Sequence, residues 1–219
     1  MPATGAIFQQ HLGKIWVEIN GIEQRIFIES QNDANPGLLM VHGGPGMPDH
    51  FLTKRYPTGL EDLFTVVWWE QRVTGLSYHR DIPAKTMTVD QFVCDISALA
   101  NYLRSRFGKE KIYLMGHSWG SFIGIQPAAR ALELFCAYIG MARMSYQAPD
   151  TGLLFHGRHD YTCCCDLAKE YFRKLEAPLK RFYTFENSAH SPVLEEADKD
   201  RSILREDVLA RSTAIADAI

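Results

Sequence analysis

The order of apolar segments in this 219-residue chain predicts an α/β protein with a mostly parallel central sheet and helices on both faces. Three observations carry that prediction. Two alternating segments, residues 15–19 and 25–29, flank Asn20-Gly21 and read as an antiparallel hairpin. The apolar runs that follow are short, continuous and rich in β-branched or aromatic residues, as in strands buried on both sides. Between those runs lie stretches with helical spacing, so strand and helix alternate to the end of the chain.

The elements follow in order. Residues 38–41 and 64–69 read as buried strands. Thr88 caps a helix in which Phe92, Ile96, Leu99 and Leu103 recur every three or four positions, and Gly108 ends it. Residues 111–115 form the next strand, and a helical pattern runs from Ser118 to about Leu134. Strands are predicted at 135–140, 153–156 and 181–185, a helix at 166–175, and a terminal helix from about Glu195 to Ala218. The length suits one domain, residues 1–219.

Composition narrows the function. With 23 Lys and Arg against 26 Asp and Glu, the net charge is -3 and the basic residues form no stripe, which excludes an electrostatic nucleic-acid binder. No apolar run approaches a membrane span, and Met1 to Gly13 lacks the features of a signal peptide, so the cytoplasm is the expected location. Five cysteines are an odd number, and three of them, Cys163, Cys164 and Cys165, are consecutive. No disulfide framework is expected, and the run reads as thiols at a helix start.

The strongest chemical signal is Gly116-His117-Ser118-Trp119-Gly120, a G-x-S-x-G between a strand and a helix. That context makes a nucleophile elbow, with small residues flanking a tight turn that holds Ser118 above the sheet. His42-Gly43-Gly44-Pro45-Gly46 follows the 38–41 strand, and its glycines let backbone N–H groups approach a developing oxyanion. The hole is assigned to the N–H groups of Trp119 and Gly44, with Gly43 as the fallback. Base and acid follow in the order Ser, Asp, His. Asp160 lies just past the 153–156 strand, and His190 lies after the 181–185 strand. His190 takes the serine proton, and Asp160 orients the imidazole and stabilises its charged form. His42 and His117 read as structural members of their loops, and His11, His50 and His79 as surface residues. His156 and His159, beside Asp160 and the cysteines, fit no zinc spacing, so no metal is assigned.

Taken together these segments resemble the proline iminopeptidase family of α/β-hydrolases, peptidase family S33. The matching pieces are the His42 to Gly46 loop, Trp69-Glu70-Gln71-Arg72-Val73-Thr74-Gly75-Leu76-Ser77, the Ser118 elbow, Gly157-Arg158-His159-Asp160-Tyr161 and Ser188-Ala189-His190. The resemblance implies the α/β-hydrolase fold, a Ser118, Asp160, His190 triad, no cofactor, and release of an N-terminal residue, often proline, from small peptides.

Four departures stand out. Glu70 replaces an aspartate and Val73 a glycine in the second of these motifs, and valine does not readily adopt positive φ. Leu132 replaces a proline, a minor change. The helical cap that family members insert between the strands at 135–140 and 153–156 is missing, leaving only residues 141–151. That length is at the short limit for a parallel crossover. A capless pocket is expected to be open, with apolar walls that a second copy of the chain covers in a homodimer. Three functions follow: a proline-preferring aminopeptidase, a broad carboxylesterase acting on small esters, or a binding module with little catalysis. The substrate-binding residues and the natural substrate are not specified by the sequence.

Overall fold

The computed structural model describes residues 12–143, 152–174 and 179–218. The opening hairpin forms as β1 (Gly13–Ile19) and β2 (Ile22–Glu29), paired antiparallel. Asn20 and Gly21 have φ of 49° and 79°, the two positive values that match a two-residue turn to the twist of its strands. Then come β3 (Gly37–Val41), α1 (His50–Thr53), β4 (Thr65–Glu70), α2 (Val89–Phe107), β5 (Ile112–His117) and α3 (Trp119–Arg130). The second half contributes β6 (Phe135–Met141), β7 (Gly152–Gly157), α4 (Cys165–Lys174), β8 (Lys180–Phe185), α5 (Pro192–Glu195) and α6 (Ala197–Ile203), with a π-helical turn over Leu204–Leu209.

The strands form one eight-stranded sheet of order β1-β2-β4-β3-β5-β6-β7-β8. Only the pairings that involve β2 are antiparallel. The strand interiors read as continuous apolar runs because each strand feeds two cores. Leu39, Val41, Val67, Trp69, Ile112 and Leu114 pack under α2 and α3. Their neighbours Leu38, Met40, Val66, Trp68, Tyr113 and Met115 point to the other face, against Phe64, Val193, Ile203 and Leu204. The predicted stripe of α2 is buried throughout, Thr88 Oγ1 accepts the Gln91 N–H, and Gly108 closes the helix at φ 62°.

Two boundaries differ from the sequence reading. The α3 helix stops at Arg130 rather than near Leu134, with Pro127 inside its last turn. The expected terminal helix is broken in two places. Glu196, at φ -129°, separates α5 from α6 while its carboxylate accepts the Asn187 N–H and the Ser188 hydroxyl. After Leu209 the chain turns at Arg211, φ 55°, because the Asp207 carboxylate gathers the Ser212 hydroxyl and the Ala214 and Ile215 N–H groups. A carboxylate that satisfies loop N–H groups competes directly with continued helix.

The β6–β7 junction carries the mark of the short connection. Among the described residues three residue pairs join these strands, against six between β5 and β6 and six between β7 and β8. Residues 144–151, most of that connection, lie outside the described residues. A cavity of about 430 Å³, lined in part by Lys111, Cys136, Leu153 and Arg181, opens at the amino ends of these strands. It is therefore at the opposite end of the sheet from the loops that follow the strands. Among the described residues, no helix is long and apolar enough to cross a membrane.

Asp200 on α6 is fully buried, and among the described residues neither carboxylate oxygen has a hydrogen-bond partner. Burial pushes its carboxyl up to about 7, with Arg201 acting in the opposite direction. The folded value exceeds the unfolded one, so stability is greatest while the group stays protonated and falls as pH rises through about 7. Asp200→Asn is expected to match the wild type below about pH 4 and to exceed it by up to about 4 kcal/mol above about pH 8. Denaturant unfolding at both pH values checks this; no gain at the higher pH contradicts it.

Candidate active site

Ser118 occupies the turn between β5 and α3 at φ 50°, ψ -117°, a strained conformation for a residue with a side chain. The flanking glycines explain how the turn closes. A Cβ on Gly116 would stand 2.4 Å from the Gly120 carbonyl oxygen, and a Cβ on Gly120 would stand 1.9 Å from that of Val41. Neither position tolerates a side chain. Trp119 begins α3, so its N–H is among those with no partner inside the helix. The half-buried Ser118 thus sits at a helix N-terminus, over the carboxyl ends of β3 and β5.

The loop after β3 packs directly on this elbow. A Cβ on Gly43 would lie 2.9 Å from the Ser118 Cβ and 3.6 Å from its Oγ. His42 holds the loop in place as a buried, neutral ring. Its Nε2 accepts the Gln71 N–H at 3.2 Å, and its Nδ1 donates to the Gly43 carbonyl at 3.0 Å. Burial lowers its pKa, against the raising effect of the Gly43 bond and the Asp49 charge. The Met47 N–H also donates to the Gly43 carbonyl. With that carbonyl anchored, the trans peptide turns the Gly44 N–H to the opposite side. Gly44 is exposed and Gly43 buried.

Asp160 and His190 meet across the ends of β7 and β8. His190 Nδ1 lies 2.9 Å from Asp160 Oδ2, with the carboxylate side chain fully buried and the ring partly exposed. The other oxygen, Oδ1, accepts the Thr162 and Cys163 N–H groups, so the turn itself aims the carboxylate. Burial works to raise the Asp160 carboxyl, but the His190 ring and these two N–H groups outweigh it and hold the pKa below the ordinary value. Gly157 permits the approach of the two loops, since a Cβ there would stand 1.9 Å from the Ala189 carbonyl oxygen. The Glu195 carboxylate then accepts the Ala189 and Ser191 N–H groups on either side of His190.

Among the described residues, no hydrogen bond joins the Ser118 hydroxyl to the His190 ring. Catalytic contacts of this kind are often long without substrate and tighten in the complex. The elbow and the His190 loop are nevertheless tied through the residue before the serine. His117 is buried, with Nε2 2.9 Å from the His190 carbonyl oxygen and Nδ1 3.2 Å from Asp49 Oδ2. Both partners are acceptors, so the ring that satisfies both carries two protons. Burial lowers its pKa, but the hydrogen bond and charge of Asp49, the His190 carbonyl and the Asp160 charge raise it overall.

Several of these residues escape a reading of the sequence. Asp49 carries no motif. Arg72 and Asp95 form a fully buried pair at 2.5 and 2.8 Å, and the carboxylate also accepts from Asn20, Gln24 and Gln91. This network ties the β1–β2 hairpin and α2 to the 71–77 loop. His50 corrects the expectation of a surface residue: it is buried, stacked on Phe27 at 4.0 Å and 3.3 Å from Glu29. His79 is exposed as expected, and His11 lies outside the described residues. The ring of His156 is buried against Phe182 while His159 is exposed, so the two do not converge.

The two departures in the 69–77 motif are visible in the geometry. The Glu70 carboxylate accepts the Leu76 N–H and fills the space beside Gly75, where a Cβ would lie 2.6 Å from it. Val73 does adopt positive φ, at 62°.

The chain has the α/β-hydrolase fold. Strand order, elbow and loop positions define it, and a CIB-like hydrolase from Thermoplasma acidophilum superposes with a TM-score of 0.69 over 92% of this chain and 99% of its own, at 15% identity. No family model matches the sequence. The probable aminopeptidase YbaC of Bacillus subtilis is 26% identical over 289 aligned positions, 82% of this chain and 91% of that protein. Those 289 positions exceed the 219 residues present here, so YbaC carries segments that this α/β-hydrolase chain lacks. A proline iminopeptidase of Lactobacillus helveticus is 27% identical over 48% of this chain, but only 34% of its own length is matched.

Two outcomes follow. Val73→Gly removes the strain of a β-branched residue in the left-handed region and is expected to stabilise the chain by about 1 kcal/mol, the looser unfolded chain offsetting part of the gain. A melting temperature at or below that of the wild type contradicts this. The His117 contacts stabilise fully below the unfolded value near 6.5 and are lost as pH rises through the raised folded value. The stability gap between the wild type and His117→Gln should therefore narrow as pH rises above the unfolded value; a constant gap across urea titrations contradicts it.

Proposed function

We propose that this α/β-hydrolase is a serine hydrolase acting through an acyl-enzyme. The observation that carries the reading is the buried Asp160 carboxylate bonded at 2.9 Å to His190 Nδ1, on the same rim as the strained elbow of Ser118. In this reading Asp160 fixes the tautomer with Nε2 free, and His190 takes the Ser118 proton and returns it to the leaving group. The N–H groups of Trp119 and Gly44 receive the oxyanion, with Gly43 as the alternative donor. Similarity to an aminopeptidase and to proline iminopeptidases supports small peptides with an N-terminal proline or other small residue as substrates.

A second reading, a broad carboxylesterase, is favoured by the exposure around the site. Met47, Phe51 and Tyr161 stand open to solvent beside the loops, Tyr161 at 96%. Such a rim admits varied acyl groups, and triad and oxyanion hole suffice for an ester, which has a better leaving group than an amide. The same rim is the surface that a second copy of the chain would cover; sedimentation showing a strict monomer at high concentration contradicts that part.

The assay compares proline and alanine arylamides with short-chain p-nitrophenyl esters. Amide turnover abolished in Ser118→Ala supports the aminopeptidase, and ester turnover alone supports the esterase. Asp160→Asn is expected to lower kcat by about 10⁴ through the wrong tautomer. Wild type no faster than Ser118→Ala on any substrate contradicts both readings and leaves a binding module.

A further inference from the structure

Acyl transfer has no use for the three consecutive thiols that follow Asp160. They are free, and they differ in their surroundings: Cys164 is exposed, Cys165 is buried, and Cys163 is intermediate. The turn that aims Asp160 also folds Cys163 back over it, since the Cys163 N–H donates to Asp160 Oδ1 at 2.8 Å. The result is a convergence of three different donors. The Cys163 sulfur, a carboxylate oxygen of Asp160 and a ring nitrogen of His190 all lie within 4.8 Å of one another. No second group of this kind is found among the described residues.

The donor set is selective. Thiolate, imidazole and carboxylate bind zinc at about 2.3, 2.0 and 2.1 Å, so donors this close reach one ion with small side-chain rotations. Magnesium and calcium prefer all-oxygen sites and are poorly served by a thiolate. Three protein ligands also leave one tetrahedral position for water, and the partly exposed His190 ring gives an ion access from solvent.

We propose that Asp160, Cys163 and His190 form a reversible binding site for a thiophilic divalent ion such as zinc or cadmium, and that the ion inhibits by removing the general base. The inhibition clause rests on the proposed hydrolase reading; the binding clause does not. On binding, the Cys163 S–H bond breaks, its electron pair goes to the metal and its proton to solvent. At His190 Nε2 the ion occupies the lone pair that would accept the serine proton. At Nδ1 it binds the tautomer protonated at Nε2, so the proton shared with Asp160 is replaced by one taken up at Nε2 by exchange with solvent, which fills the lone pair that would accept the serine proton. Either geometry disables the base. Burial, with the Asp160 charge adding to it, pushes the Cys163 thiol up to about 11. Metal must displace that proton, so affinity rises with pH.

The test uses the full chain with two probes. Cadmium titration is followed by the ultraviolet thiolate-to-metal charge-transfer band, and zinc titration by loss of hydrolysis with recovery in a chelator. The wild type is expected to show the band and reversible inhibition. Cys163→Ser keeps the backbone N–H that Asp160 needs, and is expected to lose the band and to require about tenfold more zinc, or higher still. Cys163→Ala serves if the serine variant folds poorly. Cys164→Ser should retain both responses, and His190→Gln should weaken cadmium binding. A band that persists without Cys163, or that disappears with Cys164, overturns the site. A chain that binds cadmium through Cys163 but hydrolyses nothing defeats the hydrolase reading alone; inhibition indifferent to Cys163 defeats the metal site alone.

Discussion

The carboxyl edge of this sheet depends on one close approach of backbone, the Cα of Gly120 against the carbonyl of Val41. With a Cβ at 1.9 Å from that oxygen, no other residue fits. The contact lets α3 begin directly over the end of β3, which forces the turn at Ser118 into positive φ and brings Gly43 against the serine. The helix N-terminus, the serine and the glycine loop are therefore positioned by a single packing constraint. Strain at Ser118 persists because Gly116 and Gly120 close the turn on either side.

The other half of the site is held by polar bonds rather than packing. Asp160 is aimed by the N–H groups of its own turn, and His190 is carried on a loop pinned by Glu195 and Glu196. His117 and Asp49 join the two halves. This division explains what the sequence makes legible. The elbow, the His42 loop and the Asp160 segment are local patterns, in which a turn's demand for glycine or an Asx-type carboxylate is written within five residues. The continuous apolar runs of β3, β4 and β5 are equally local and mark strands buried on both faces of the sheet.

What the sequence does not show is which distant groups pair. His117 and Asp49 are 68 positions apart, and Arg72 and Asp95 are 23 apart, with no periodic signal to link them. Nothing in the sequence near His50 announces its stacking on Phe27. The terminal helix is broken where the sequence predicts it continuous for a related reason: its polar residues suit a helix locally, but the carboxylates of Glu196 and Asp207 are committed to loop N–H groups. The missing cap is legible from the short connection of residues 141–151 set against the family pattern. The three residue pairs between β6 and β7 among the described residues, and the cavity at the amino ends of the strands, required the structure.

The most direct measurement of the account is a crystal structure of the chain after reaction with a fluorophosphonate. Phosphonylation of Ser118 alone is expected, with the phosphonyl oxygen between the N–H of Trp119 and that of Gly44 or Gly43, and His190 Nε2 within hydrogen-bond reach of the adduct. An unmodified serine, or an adduct whose oxygen faces away from those N–H groups with the His190 ring turned out to solvent, would contradict it.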